Sequence, residues 1–153
     1  MATEPRIVSG AVFSAEELGK LCYQLATVAY PNGAPWRQAT FIADVDMPQA
    51  HYDVILVRER PVGFISHTVV LDEAEVTNVA VHPDFQHQGL AGRLLNGCFE
   101  QLSPGDQLFL EVRSSNVAAQ HLYLKCGFER IATRKNYYHS PLEDALIMRK
   151  IIN

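Results

Sequence analysis

Between Ser14 and Ala29 the apolar residues Leu18, Leu21, Cys22, Leu25, Val28 and Ala29 recur at intervals of three and four, which predicts one face of a helix. Ser14, with Glu17 three residues on, reads as a capping box at its start. The segment "PNGAP" stops it, and Pro35 is expected to begin a second short helix through Trp36, Ile42 and Val45, closed by Met47-Pro48. The spacing then changes to that of strands. "YDVILVRE" and "VGFISHTVVLD" flank an expected turn at Arg60-Pro61, and "EVTNVAV" follows Asp72-Glu73. Helical spacing returns from Leu90 to Leu102, "SPGD" ends it, and "QLFLEVR" reads as another strand. Ser114-Ser115 offers a cap for the helix "NVAAQHLYLKC", and Gly127 is its natural stop. "FERIATRKNYY" and "ALIMRKI" complete the pattern as two strands joined by the polar loop "HSPLED". With no internal repeat, linker or low-complexity segment, residues 1–153 are expected to form a single mixed α/β domain.

Composition narrows the function classes. At 153 residues the chain can bury a real core, and its 48% hydrophobic and 20% charged residues are those of a soluble globular protein. A net charge of −4 argues against nucleic-acid binding through a broad basic face and suits a basic partner. No apolar run approaches a membrane span, and "MATEPRIVSG" lacks the charged and apolar regions of a signal peptide. Cys22, Cys98 and Cys126 are scattered, odd in number and form no CxxC, so a reduced, cytoplasmic protein is expected. The six histidines show neither HxxxH nor HxH spacing, so no metal is expected. Cys126 beside Gly127 lacks the His-Asp arrangement that a covalent cysteine route needs.

The informative stretch is "NVAVHPDFQHQGLAGRLL". It is a strand, then a loop with glycines, then a helix, which is a general way to hold phosphate on free backbone N–H groups at a helix start. It is not a Walker loop, since GxxxxGK is absent, and the GxGxxG spacing of a dinucleotide fold fails too. Taken alone, Gly89 and Gly92 could equally be helix-packing glycines. Glu111, near the end of the apolar strand "LFLEV", is either on a solvated face or in a cleft. Tyr123, between Leu122 and Leu124, is either a core-edge tyrosine or a functional one.

Gln86-x-x-Gly89-x-Ala91 in this setting resembles the acetyl-CoA loop of the GCN5-related N-acetyltransferases, whose pattern is Arg or Gln, two residues, Gly, one residue, Gly or Ala. The likeness runs on through "LEVRSSNVAAQHLYLKCGF" to "RKNYYHSPLEDALIMRK", segments similar to the bacterial RimI-type branch, which acetylates the N-terminal alanine of a small-subunit ribosomal protein. "YPNGAPWRQATF" also resembles that branch. The loop ends in Ala91 where glycine is commoner, and Cys126 replaces a larger apolar residue.

The resemblance implies a central, mostly antiparallel mixed sheet that splays where cofactor and acceptor meet. It implies acetyl-CoA as co-substrate, contacting the backbone of Val79, Ala80 and Val81, with its diphosphate against Gln86, His87, Gln88, Gly89, Leu90, Ala91 and Gly92, and with Asn116 further along. Glu111 would be the base and Tyr123 the acid. Tyr137 and Tyr138, ahead of the acidic Glu143 and Asp144, resemble a peptide-binding edge that would take a basic, alanine-starting protein N-terminus. Asp72, Glu73 and Glu75 would add negative charge if they share that mouth. Basicity points the same way, because about one α-amine in seven is neutral at pH 7 against roughly one lysine in a few thousand. Two other readings remain open: an acetyltransferase for a lysine or small amine, and a catalytically idle acyl-CoA-binding module.

Overall fold

The computed structural model describes residues 4–153; Met1–Thr3, part of the N-terminus read above as free of a signal segment, lie outside them. Seven strands form one sheet in the order β1-β2-β3-β4-β5-β7-β6. They are β1 (Arg6–Ser9), β2 (Ala50–Val57), β3 (Arg60–Val70), β4 (Glu73–Val81), β5 (Gln107–Arg113), β6 (Glu129–His139) and β7 (Leu142–Ile151). All neighbours are antiparallel except β4 and β5. Four helices cover the sheet: α1 (Ala15–Ala29), α2 (Gln38–Val45), α3 (Leu90–Glu100) and α4 (Val117–Lys125).

Helix α1 starts where its chemistry dictates. The Ser14 hydroxyl accepts from the Glu17 N–H, and the Glu17 carboxylate accepts from the Ser14 N–H, both at 3.1 Å. Its buried stripe is Leu18, Cys22, Leu25 and Ala26, whereas Val28 is exposed, contrary to the periodic reading. Helix α2 begins at Gln38, later than expected, because Arg37 is extended and opens it. At Gly19 a Cβ would meet the Ile42 backbone at 2.6 Å, so α1 and α2 touch main chain to main chain, fixing the loop between them.

The chain departs from the sequence pattern at four places. The β2–β3 turn is Arg58-Glu59, both left-handed at φ 52° and 65°, and Pro61 lies inside β3 opposite Leu56. A register shift there accommodates a residue without a ladder N–H. Tyr137, Tyr138, Glu143 and Asp144 belong to strands β6 and β7, and only Ser140-Pro141 lies between them. The α4 cap is Asn116, whose Oδ1 accepts from the Ala119 N–H at 3.2 Å, in place of the Ser114-Ser115 pair. Strand β1 had no counterpart in the periodic reading.

Two cores result, one on each face. Leu18, Cys22, Phe41, Val54, Phe64 and Ala80 pack under α1 and α2. Ile55, Ile65, Leu94, Leu95, Leu108, Leu110 and Met148 pack under α3 and α4. Burying each leucine contributes ~1.5–3 kcal/mol. That outweighs the ~1 kcal/mol cost of each interior glycine in α3, Gly92 and Gly97.

Candidate active site

Strands β4 and β5 pair only at Glu73↔Gln107, Ala74↔Leu108 and Glu75↔Phe109, then part. The sheet therefore splays at its centre, as expected, and the parted edges open a cleft of about 810 Å³. One wall is the α1–α2 loop, Tyr30 to Trp36; the others are Val76–Val79 of β4, Leu110–Arg113 of β5, the start of α4 with Tyr123, and Tyr138 and Ser140 of the β6–β7 hairpin. Among the expected site residues, Val79, Glu111, Asn116, Tyr123 and Tyr138 line this cleft. Ala80 and Val81 are buried beyond it, and the loop from Gln86 to Gly89 follows at the surface.

On β5, Leu108, Leu110 and Val112 are buried against α3 and α4, which leaves Glu111 on the opposite face. At the parted edge both faces of β5 reach the cleft, and Glu111 lines it while staying partly exposed. Its carboxylate retains a quarter of its exposure (25%) and stands 3.6 Å from Arg134 Nη1. Hydrogen bonding to Glu111, ahead of burial, raises the Tyr137 phenol. Burial first, and Glu111 second, raises Glu75. Glu75 stands on the last rung before the strands part, next to the cleft-lining Val76, whereas Asp72 and Glu73 sit at the closed end, where the Asp72 carbonyl accepts from the Gln107 N–H.

Tyr123 is 8% exposed and packs edge-on against Phe128 at 5.8 Å. Burial, and then its neighbour Tyr30, raises its phenol far above the ordinary range, so it stays protonated and able to donate. Cys126 has its thiol raised by burial, the wrong direction for a nucleophile.

The hairpin acids have internal partners. Glu143 accepts from the Ser115 N–H at 2.6 Å, the Ser114 hydroxyl at 3.2 Å and Arg113 Nη1 at 3.2 Å. Ser115 first, with Arg113 and Ser114, pulls its carboxyl down to about 2 against the opposing effect of burial. Arg113 also stacks 4.1 Å over the Tyr138 ring, so this pair fastens the hairpin to the loop before α4. Asp144 accepts from the Asn136 N–H at 2.8 Å, where Asn136 is left-handed and β6 bulges. Sequence reasoning missed Arg113, Tyr30 and Asn78, which all line the cleft. Tyr30 had one signal, its place at the end of the α1 pattern before the Pro-Asn-Gly break.

The loop after β4 fits a diphosphate. Gly89 is left-handed at φ +78° and initiates α3 without a side-chain cap. The first helical bond runs from the Arg93 N–H to the Gly89 carbonyl, so the N–H groups of Leu90, Ala91 and Gly92 precede any intrahelical acceptor. Among the described residues nothing lies within 4 Å of a Cβ built at Gly89 or Gly92, and no carboxylate occurs from Gln86 to Arg93. The Gln86 side chain donates to the Val81 carbonyl at 2.9 Å and braces the loop against the strand. Among the described residues no three His, Cys, Asp or Glu side chains are grouped to hold a metal ion, and no helix is long and apolar enough to cross a membrane.

Comparison with known proteins agrees with this geometry. The model of the acetyltransferase (GNAT) family matches residues 19–128. A ribosomal protein bS18-alanine N-acetyltransferase of Salmonella typhimurium is 40% identical over 119 residues, 74% of this chain and 79% of that one. The N-alpha-acetyltransferase RimI of Mycobacterium tuberculosis is 31% identical over 153 residues, 97% of this chain and 94% of that one. The crystal structure of the ribosomal-protein-S18-alanine N-acetyltransferase from Escherichia coli superposes with a TM-score of 0.85 at 34% identity, covering 98% of this chain and 95% of that one. With the splayed sheet, the glycine loop and the family match in agreement, the chain belongs to the acetyltransferase (GNAT) family.

Proposed function

We propose that this acetyltransferase moves the acetyl group of acetyl-CoA directly onto the α-amine of an N-terminal alanine, that of ribosomal protein bS18. The observation that carries the reading is that Glu111 and Tyr123 line one cleft, opened where β4 and β5 part. Relatives named for that activity support the choice of acceptor. A solved GNAT acetyltransferase from Elizabethkingia anophelis has acetyl-CoA bound and shares the fold at 17% identity and a TM-score of 0.76.

Bound acetyl-CoA supplies an activated thioester. The backbone of Val79, Ala80 and Val81 and the loop from Gln86 through His87, Gln88 and Gly89 would hold it, with the N–H groups of Leu90, Ala91 and Gly92 turned to the diphosphate. Asn116 would flank it at the start of α4. Glu111 takes the proton of the incoming ammonium, and Tyr123 returns one to the departing sulfur. Each transfer contributes ~10²–10⁴ in rate. Tyr138 on the cleft wall and Tyr137 beside Glu111 would guide the acceptor, while Glu75 and Glu111 favour a basic one. Glu143 and Asp144 serve the acceptor indirectly in this reading, because their carboxylates are spent on the hairpin itself.

The test is a competition with acetyl-CoA. An alanine-starting basic peptide is set against the same peptide with a blocked N-terminus and an internal lysine, and against small amines. The acetyl group, located by mass spectrometry, should appear on the alanine α-amine. Preferential acetylation of the lysine or a small amine would overturn the acceptor assignment, and no transfer to any amine would favour an idle acyl-CoA-binding module.

A further inference from the structure

The Val79 N–H belongs to the edge of β4 that β5 has left, so it faces the cleft without a ladder partner. It is nonetheless satisfied, because the Tyr30 hydroxyl reaches across from the end of α1 and accepts it at 3.0 Å. Tyr30 is firmly rooted. Its N–H donates to the Ala26 carbonyl as the end of α1, and its carbonyl accepts from the Gly33 N–H at 3.0 Å. The phenol O–H in turn donates to Asn78 Oδ1 at 3.3 Å. On the same amide, Asn78 Nδ2 is buried with no hydrogen-bond partner among the described residues.

We propose that the Tyr30 hydroxyl stands in for the acyl carbonyl oxygen, holding the Val79 N–H in the free protein and yielding it to the thioester. The proposal rests on the proposed function, in which the backbone of Val79 holds acetyl-CoA, and adds that its N–H meets the acyl carbonyl oxygen. A buried amide that loses its acceptor is costly, so the exchange proceeds only for a ligand that brings an oxygen to this point. Acetyl-CoA does so, and free CoA does not. The unused Asn78 Nδ2 explains where the released hydroxyl goes: a small rotation lets it accept from that donor. Burial keeps the phenol neutral, so the exchange passes between two uncharged acceptors. Tyr30 is therefore a positioning residue that sets how far the protein distinguishes acetyl-CoA from its product.

The experiment is calorimetric titration of the protein with acetyl-CoA and with CoA, in the absence of any acceptor. Tyr30→Phe should leave the Kd for CoA unchanged and tighten acetyl-CoA roughly three- to tenfold, the worth of one net hydrogen bond that no longer has to be exchanged. Asn78→Ala should weaken acetyl-CoA alone, because the displaced hydroxyl has no donor to meet. In the Tyr30→Phe/Asn78→Ala double variant that second effect should vanish. Unchanged or weaker acetyl-CoA binding by Tyr30→Phe would overturn the proposal, as would equal effects on both ligands or additivity of the two substitutions. Absence of binding by the unaltered protein would instead sink the cofactor placement, and this proposal with it.

Discussion

Glu111 and Tyr123 reach the same cleft by unlike routes, one from a strand edge and one from a helix, and their surroundings suit opposite tasks. Glu111 keeps part of its side chain exposed and stands near Arg134, which suits the base assigned to it in the proposed mechanism. Tyr123 is enclosed, and burial holds its proton in place. Glu111→Gln should slow turnover by ~10²–10⁴. The deficit should narrow as pH rises towards ~8, where the acceptor α-amine loses its own proton. Tyr123→Phe should cost less, since a leaving thiol of pKa ~8.5 needs little help. Because the raised phenol keeps its proton well into alkaline solution, the pH profile of kcat/KM should show no alkaline limb from Tyr123 below pH ~10. Acetyl-CoA affinity should survive both changes. Wild-type turnover by Glu111→Gln would remove that residue from the mechanism.

Among the elements, the turn into α3 makes the sharpest separation between folding and binding. Gly89 is required by its own left-handed backbone, so replacing it confuses strain with lost affinity. Gly92 has ordinary backbone and open space, and an acid in the first turn of a helix complements its dipole. Gly92→Glu should therefore melt no lower than the parent and yet lose the rise in Tm that acetyl-CoA causes in it. A Gly92→Glu protein still stabilised by acetyl-CoA would overturn the loop assignment. What could be read from the chain follows the same division between local and distant causes. The capping box of α1, strand β5 and the Gly127 stop are written in a few adjacent residues, and the structure keeps them. Strand β1, four residues long and mostly exposed, exists because β2 offers it an edge, which no window around "RIVS" reveals. Pro61 reads as a turn until the register shift opposite it is seen. Tyr30 and Asn78 lie 48 positions apart and meet only through the packing of α1 on β4.

At the scale of the molecule, the two halves of the sheet share only three ladder pairs and the core beneath α3 and α4. Within the half formed by β5, β7 and β6, Glu143 ties the hairpin to the end of β5 by gathering Arg113, Ser114 and Ser115. With its folded carboxyl at about 2 and an ordinary unfolded value of ~4.3, the stabilisation is complete above pH ~5 and is lost as pH falls towards 2. Glu143→Gln should thus melt below the parent at neutral pH, with the gap closing on acidification; a gap constant from pH 7 to 3 would show that the charge is immaterial. The parting of the strands has a further consequence for how such a protein can change over generations. The wall from Pro31 to Trp36 is an irregular segment outside every strand pairing, and a Cβ built at Gly33 in its middle would meet no described atom within 4 Å. Pro31 to Pro35 contribute no ladder pair and no residue to the glycine turn, whereas Trp36 is held by its packing on Phe41. Under the proposed function, that separation would let this wall of the cleft vary while the residues assigned to acetyl transfer stay as they are.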